Sequence, residues 1–179
     1  VSDEQSVISA VDQIISSHKK IDVLVNNAGY GISGSSEFAK LTDAKNLFNV
    51  NFFGAFSMIQ AVLPHMRNQK SGIIINLSSV AAEFAIPFQS FYSATKASIN
   101  MLTYALKNEL LGFNVNITSL MCGDAKTGFT KQRQKSFAGQ EIYGDRIEKS
   151  VLAMEKDEQN GMPPEKIAKI IYSISNKTH

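Results

Sequence analysis

Two spacings of apolar residues alternate along this chain. Over residues 3–18, Val7, Ile8, Val11, Ile14 and Ile15 recur at helical intervals behind Ser2 or Asp3 as a cap, which predicts an amphipathic helix. Residues 21–25 form a nearly continuous apolar run rich in β-branched side chains, stopped by Asn26, Asn27, Ala28 and Gly29, the pattern of a buried parallel strand. After a Gly/Ser loop at 29–36, Leu47, Val50, Phe53, Met58, Val62 and Met66 predict a helix over 42–66, apolar on more than one side. Residues 72–77 repeat the strand pattern, 78–90 read as a loop, and 92–111 return to helical spacing with Gly112 as a C-cap. A third strand is predicted at 115–120 and a last helix at 166–175, opened by Pro163 and Pro164. Helices that alternate with fully apolar strands imply right-handed crossovers and a doubly wound parallel α/β sheet with helices on both faces, in one domain.

Composition narrows the function without defining it. In 179 residues, 44% are apolar and 19% charged, which excludes a disordered or low-complexity chain. A formal charge of +2 is too balanced for the phosphate-neutralising field of a nucleic-acid binder. No apolar run reads as a membrane span, and residues 1–12 are too acidic and polar for an export signal. The single cysteine, Cys122, and the isolated His18, His65 and His179 offer no metal-binding spacing and suit a reducing, cytoplasmic compartment. Lys126, Lys131, Arg133 and Lys135 fall within ten residues, 126–135, that hold no acid, and read as the solvated face of a mobile helix.

Polar groups gather just beyond the carboxyl ends of the predicted strands, where open α/β sheets bind ligands. They are Asn26 to Gly29, Ser78 with Ser79, and the stretch from Gly123 to Thr130. On a helix, Tyr92 and Lys96 stand at i and i+4 and meet on one face. A tyrosine that titrates at about 10 is a poor proton donor or acceptor at neutral pH, but a neighbouring ammonium stabilises its phenolate. That pair suits proton transfer. Alone it is an ordinary surface pairing, just as Asn51 alone reads as a backbone partner within a helix and Ser79 as a turn residue.

Together, Asn26-Asn27-Ala28-Gly29, Asn51 before Phe52, Phe53 and Gly54, Ser79, and Tyr92 with Lys96 at an interval of 13 from Ser79 to Tyr92 resemble the short-chain dehydrogenase/reductase family. The resemblance covers nearly the whole chain and implies a Rossmann-like fold whose three strands correspond to the family's fourth to sixth. It implies an oxidoreductase that moves a hydride between NAD or NADP and a small carbonyl or alcohol substrate. Tyr92 would be its general acid/base, and Lys96 would lower the tyrosine pKa and bind the nicotinamide ribose. Ser79 would polarise the substrate oxygen, and Asn51 would support a relay water. Asn26, Ala28 and Gly29 would line the adenine-ribose side and steady the sheet. Gly123 and Thr127 would close over the carboxamide, although Cys122 stands where the family has proline. Residues 126–160 would form the substrate lid, and the helices at 42–66 and 91–111 a homodimer or homotetramer interface.

The family's Gly-rich phosphate turn is not found in the sequence, so the resemblance also implies that segments on both sides of residues 1–179 are missing. On that expectation the chain alone would bind dinucleotide poorly and show little activity. Two alternatives stay open: a non-catalytic Rossmann-like binding or oligomerisation module, and a fragment inactive by itself.

Overall fold

A computed structural model describes residues 1–176. Helix α1 (Glu4–His18) starts where Asp3 Oδ1 accepts the Ser6 N–H at 2.6 Å, and it stops at Lys19, whose φ of 65° is left-handed. Three strands follow as a parallel sheet in the order β1 (Val23–Asn26), β3 (Gly72–Ser79), β4 (Val115–Cys122). Both β3 and β4 run two residues beyond their apolar patterns, because the ladder continues in register to Ser79 opposite Cys122. Backbone pairing there does not depend on an apolar side chain, so Ser78 and Ser79 lie in a strand rather than in the predicted loop.

The helices α1, α3 (Gly54–Gln69) and α4 (Ser90–Glu109) pack on one face of the sheet. Between them lie Val11, Leu24, Ile59, Val62, Met66, Ile74 and Ile117, the main core. The opposite face carries Val23 and Val25, which are 37% and 38% exposed, so the helical cover predicted for both faces is complete only on the first. A chain of polar contacts also crosses that first face. Asn26 Nδ2 donates to Asn76 Oδ1 at 2.8 Å, Asn76 Nδ2 to Thr103 Oγ1 at 2.9 Å, and Thr103 Oγ1 to Ile99 O at 2.7 Å. Buried polar groups that are all satisfied in this way fix one arrangement of strand and helix.

The helix predicted over 42–66 is instead α2 (Leu41–Phe48), a π-helical turn (Asn49–Phe53) and α3. The extra residue of the π turn rotates Asn51 inward, where it is 2% exposed. Residues Leu41–Gln69 are, by length and composition, apolar enough to cross a membrane, which the sequence reading did not register. Here Leu47, Ile59, Val62 and Met66 from that stretch are core residues, as in a helix that packs on a sheet.

Helix α4 starts two residues before the predicted position and is capped by Leu110, not Gly112. Gly112, with φ of +87°, serves the turn into β4 instead. Residues 126–160, expected as the substrate lid, fold into α5 (Phe129–Gln132), α6 (Gln140–Tyr143) and α7 (Arg146–Gln159). A two-residue strand within the Gly/Ser loop, β2 (Ile32–Ser33), pairs in parallel with β5 (Gln134–Lys135) and ties that cover to the body. The last helix, α8 (Pro164–Ser175), begins at the prolines.

Candidate active site

The carboxyl ends of β1, β3 and β4 open into a cavity of about 200 Å³. Asn27 and Gly29 reach it from β1, Ser79 from β3, Tyr92 and Lys96 from α4, and Cys122 from β4. Gly123 and Thr127 continue its wall after β4. Asn26 and Ala28 face a smaller hollow on the other side of the same loop. Most of the polar groups read from sequence thus meet at this cavity; Asn27 lines both hollows, and Asn51 lines neither but lies against Gly29.

Tyr92 and Lys96 are both buried on the face of α4 that looks into the cavity. The Lys96 ammonium stands 5.6 Å from the centre of the Tyr92 ring and donates to Leu77 O at 2.8 Å. Burial holds the lysine down, to about 8, against a raising influence from Cys122. Burial likewise pushes the Tyr92 phenol up, to about 12, against the lowering hydrogen bond from Ser79; the Glu158 charge raises it further and Arg133 opposes that. Lys96, which the resemblance implies would lower the tyrosine, is not among the groups that shift it. Low dielectric penalises the phenolate more than the surrounding groups favour it, so the phenol is neutral at pH 7.

Ser79 serves two purposes at once. Its Oγ accepts from Ala81 N at 3.1 Å to cap the short turn Val80–Ala82, and its hydroxyl also meets the Tyr92 phenol. Asn51 clamps the backbone of Tyr30, accepting from its N–H at 3.0 Å and donating to its carbonyl at 2.9 Å, with a third bond to Thr95 Oγ1 at 3.2 Å. Gly29 passes so close that an added Cβ would fall 3.1 Å from Asn51 Oδ1 and 3.8 Å from Lys96 Nζ. Asn51→Ala is expected to cost about 2–4 kcal/mol, since it orphans buried backbone groups. A urea titration that finds no loss would refute the clamp.

The remaining cofactor-side residues fit part of a dinucleotide. Lys96 has three ammonium donors, and one hydrogen bond is formed among the described residues, so two remain for ribose hydroxyls in the cavity. Gly123 faces open space, and Thr127 Oγ1 accepts from Phe129 N at 3.1 Å, which fixes the loop on which both sit. A Gly-rich phosphate turn is not among the described residues. The fit is to the nicotinamide and ribose end.

That loop is held from outside by a parallel bridge between Ala125 and Met162, with Met162 N donating to Asp124 O at 2.8 Å and Lys126 N to Met162 O at 2.9 Å. A Cβ on Gly161 would collide with the backbone of Asp124. Gly161→Ala is therefore expected to break the bridge, at about 1–3 kcal/mol locally. Hydrogen exchange should rise at 124–126 and 162 while β3 stays protected; unchanged exchange in the loop would refute this.

The sequence reading missed Arg133, placed on a solvated face. It is 5% exposed and pairs with Glu158, while its guanidinium lies 5.5 Å from the centre of the Phe129 ring. Neither Phe129, whose ring packs 5.4 Å from that of Tyr92, nor the Thr95 partner of Asn51 carried a local signal of its role. Arg133 and Glu158 are 25 positions apart, beyond any helical spacing.

A parallel α/β sheet with a Tyr/Lys pair and a serine at the carboxyl ends of its strands, and a buried asparagine beside them, places the chain in the dinucleotide-binding α/β class. Residues 1–137 match the family described as short chain dehydrogenase, and the chain belongs to that family. It is 42% identical over 176 residues to a 3-ketodihydrosphingosine reductase of Bacteroides thetaiotaomicron, an alignment that covers 97% of this chain and 65% of the relative. The chain thus spans about two thirds of that protein's length. It superposes on the solved structure of ElxO with NADP bound at a TM-score of 0.80 and 26% identity, over 99% of this chain and 69% of the other. An NAD⁺-bound xylitol dehydrogenase superposes at 0.82 over 98% and 70%, and at 24% identity that likeness speaks for the fold. The family's cofactor is NAD or NADP.

Proposed function

We propose that the protein carrying this chain reduces a ketone, with Tyr92 as the group that delivers the proton. The observation that carries this is the neutral Tyr92 phenol, pushed up to about 12, in the same cavity as Ser79 and Lys96. When bound, the nicotinamide supplies the hydride that the reduction needs. As a hydride reaches the carbonyl carbon, the C=O π electrons move onto oxygen, and that oxygen takes the proton of Tyr92 Oη. Ser79 Oγ holds the same oxygen in place. The phenolate left behind is stabilised by the Lys96 ammonium and reprotonated from solvent. Lys96 Nζ would also hold the ribose, and the loop of Gly123 and Thr127 the carboxamide.

The apolar walls favour a ketone on a hydrocarbon chain, because Val80, Ile86, Phe129, Met154 and Ile167 line the cavity together with the polar groups. The Bacteroides relative, named for a 3-keto long-chain substrate, points the same way. The test is reduction of 3-ketodihydrosphingosine by the complete protein with NADH or NADPH. Turnover is expected, at a rate above that with a short-chain ketone, and cofactor binding without turnover across a broad carbonyl panel would overturn the reading. Exposed Met101 and Tyr104 on α4, at 65% and 45%, support self-association through α3 and α4, which sedimentation at several concentrations would measure. The single thiol supports a reducing, cytoplasmic setting.

A further inference from the structure

At the wall of the cavity, three groups pack in a row that the proton transfer does not itself require. The Tyr92 ring lies on Phe129 at 5.4 Å, and Phe129 lies under the Arg133 guanidinium at 5.5 Å. The side chain of Arg133 is fully buried, and its Nη2 is bound to Glu158 Oε1. Glu158, from α7, also accepts from Thr130 Oγ1 at 2.7 Å and forms part of the cavity wall. Among the described residues, Arg133 Nε and Nη1 have no hydrogen-bond partner.

Stability alone is a poor explanation for this pair. Two charges taken out of water gain little over apolar residues of the same volume, and a guanidinium with two unpartnered nitrogens gains less. Its position is the informative feature, because one partner touches the ring that packs on Tyr92 and the other brings a fixed charge to the cavity.

We propose that Arg133 and Glu158 act as a pair of positioning residues for Tyr92, Arg133 through the Phe129 ring and Glu158 through its charge in the cavity wall. This rests on Tyr92 being the proton donor. The groups that face Tyr92 are Ser79 from β3, Cys122 from β4, Lys96 from its own helix, Glu158 from α7 and Arg133 after α5. Of these, Arg133 and Glu158 pull its proton affinity in opposite directions. Held as a pair, they oppose each other, with Glu158 the larger influence, and losing either charge exposes the other.

The test compares Glu158→Gln and Arg133→Met in the complete protein. Glu158→Gln keeps the shape and an acceptor for Arg133 but leaves the guanidinium without its counter-charge, so both profiles are read at a temperature where the variant is shown by circular dichroism to be folded. The alkaline fall in kcat/KM has two steps, loss of the Lys96 ammonium near 8 and loss of the neutral phenol near 12, and in this variant the second is expected to begin about half a unit lower in pH. Arg133→Met should move that fall the other way and raise KM, because Phe129 loses its backing. A purely structural pair would lower stability in both variants and leave the pH profile in place. An unmoved profile in Glu158→Gln overturns the proposal, whether or not Arg133→Met folds. Tyrosine labelled at ¹³Cζ supplies a readout independent of turnover. The Tyr92 resonance, assigned by its absence in Tyr92→Phe, should begin to titrate at lower pH in Glu158→Gln. If that shift is seen in a protein that reduces no ketone, the positioning stands and the proposed reaction falls.

Discussion

Tyr92→Phe in the complete protein is expected to lower kcat for ketone reduction about a thousandfold, the usual worth of a positioned general acid. The ring stays where it is, since Leu47, Ala81 and the partly buried Phe129 pack around it and none of these contacts uses the hydroxyl. Cofactor affinity should therefore change little, because Lys96 keeps its bond to Leu77 O and its free donors. A fall in kcat with unchanged cofactor Kd separates loss of the proton donor from loss of the site. Turnover within tenfold of the parent would remove Tyr92 from the reaction.

Lys96→Met should inactivate the protein and at the same time make the cofactor-free protein more stable at neutral pH. The lysine is buried with its pKa held down to about 8, so below that value the fold carries a charge that burial disfavours. Folding lowers this pKa, so the unfolded chain binds the extra proton between about pH 8 and its ordinary value. The parent thus gains stability as pH rises through that window, and the penalty is full below it. Removing the ammonium relieves the cost but deprives Leu77 O of its donor. The net gain is about 1–2 kcal/mol at pH 7. It should shrink as unfolding is measured towards pH 10. A variant that is less stable than the parent at pH 7 and shows no change in this difference with pH would refute the account.

What the sequence disclosed follows the range of the interaction that carries it. Tyr92 and Lys96 are one helical turn apart, so spacing alone places them on one face, and the structure sets both in the cavity. Strand positions were legible from apolar runs, but the ladder to Ser79 and Cys122 belongs to backbone pairing between distant segments. Asn51 was legible as a residue and not as a conformation. Its inward turn comes from a π-helical residue whose reason is the backbone of Tyr30, 21 positions away. Arg133 was misread because its neighbours are basic, while the acid that buries it comes from α7. The strands β2 and β5, two residues each, are too short for any periodicity to show.

The polar chain from Asn26 through Asn76 to Thr103 makes the sheet the datum from which the height of Tyr92 is measured. Thr103 is pinned on α4 eleven positions after Tyr92, about three helical turns. The intervening helix works as a ruler with one end fixed. A single residue inserted between Lys96 and Thr103 would turn the phenol by about 100° away from the cavity and move it along the axis by about 1.5 Å. Length between those two positions is thus under stricter constraint than the identity of most side chains that lie along it.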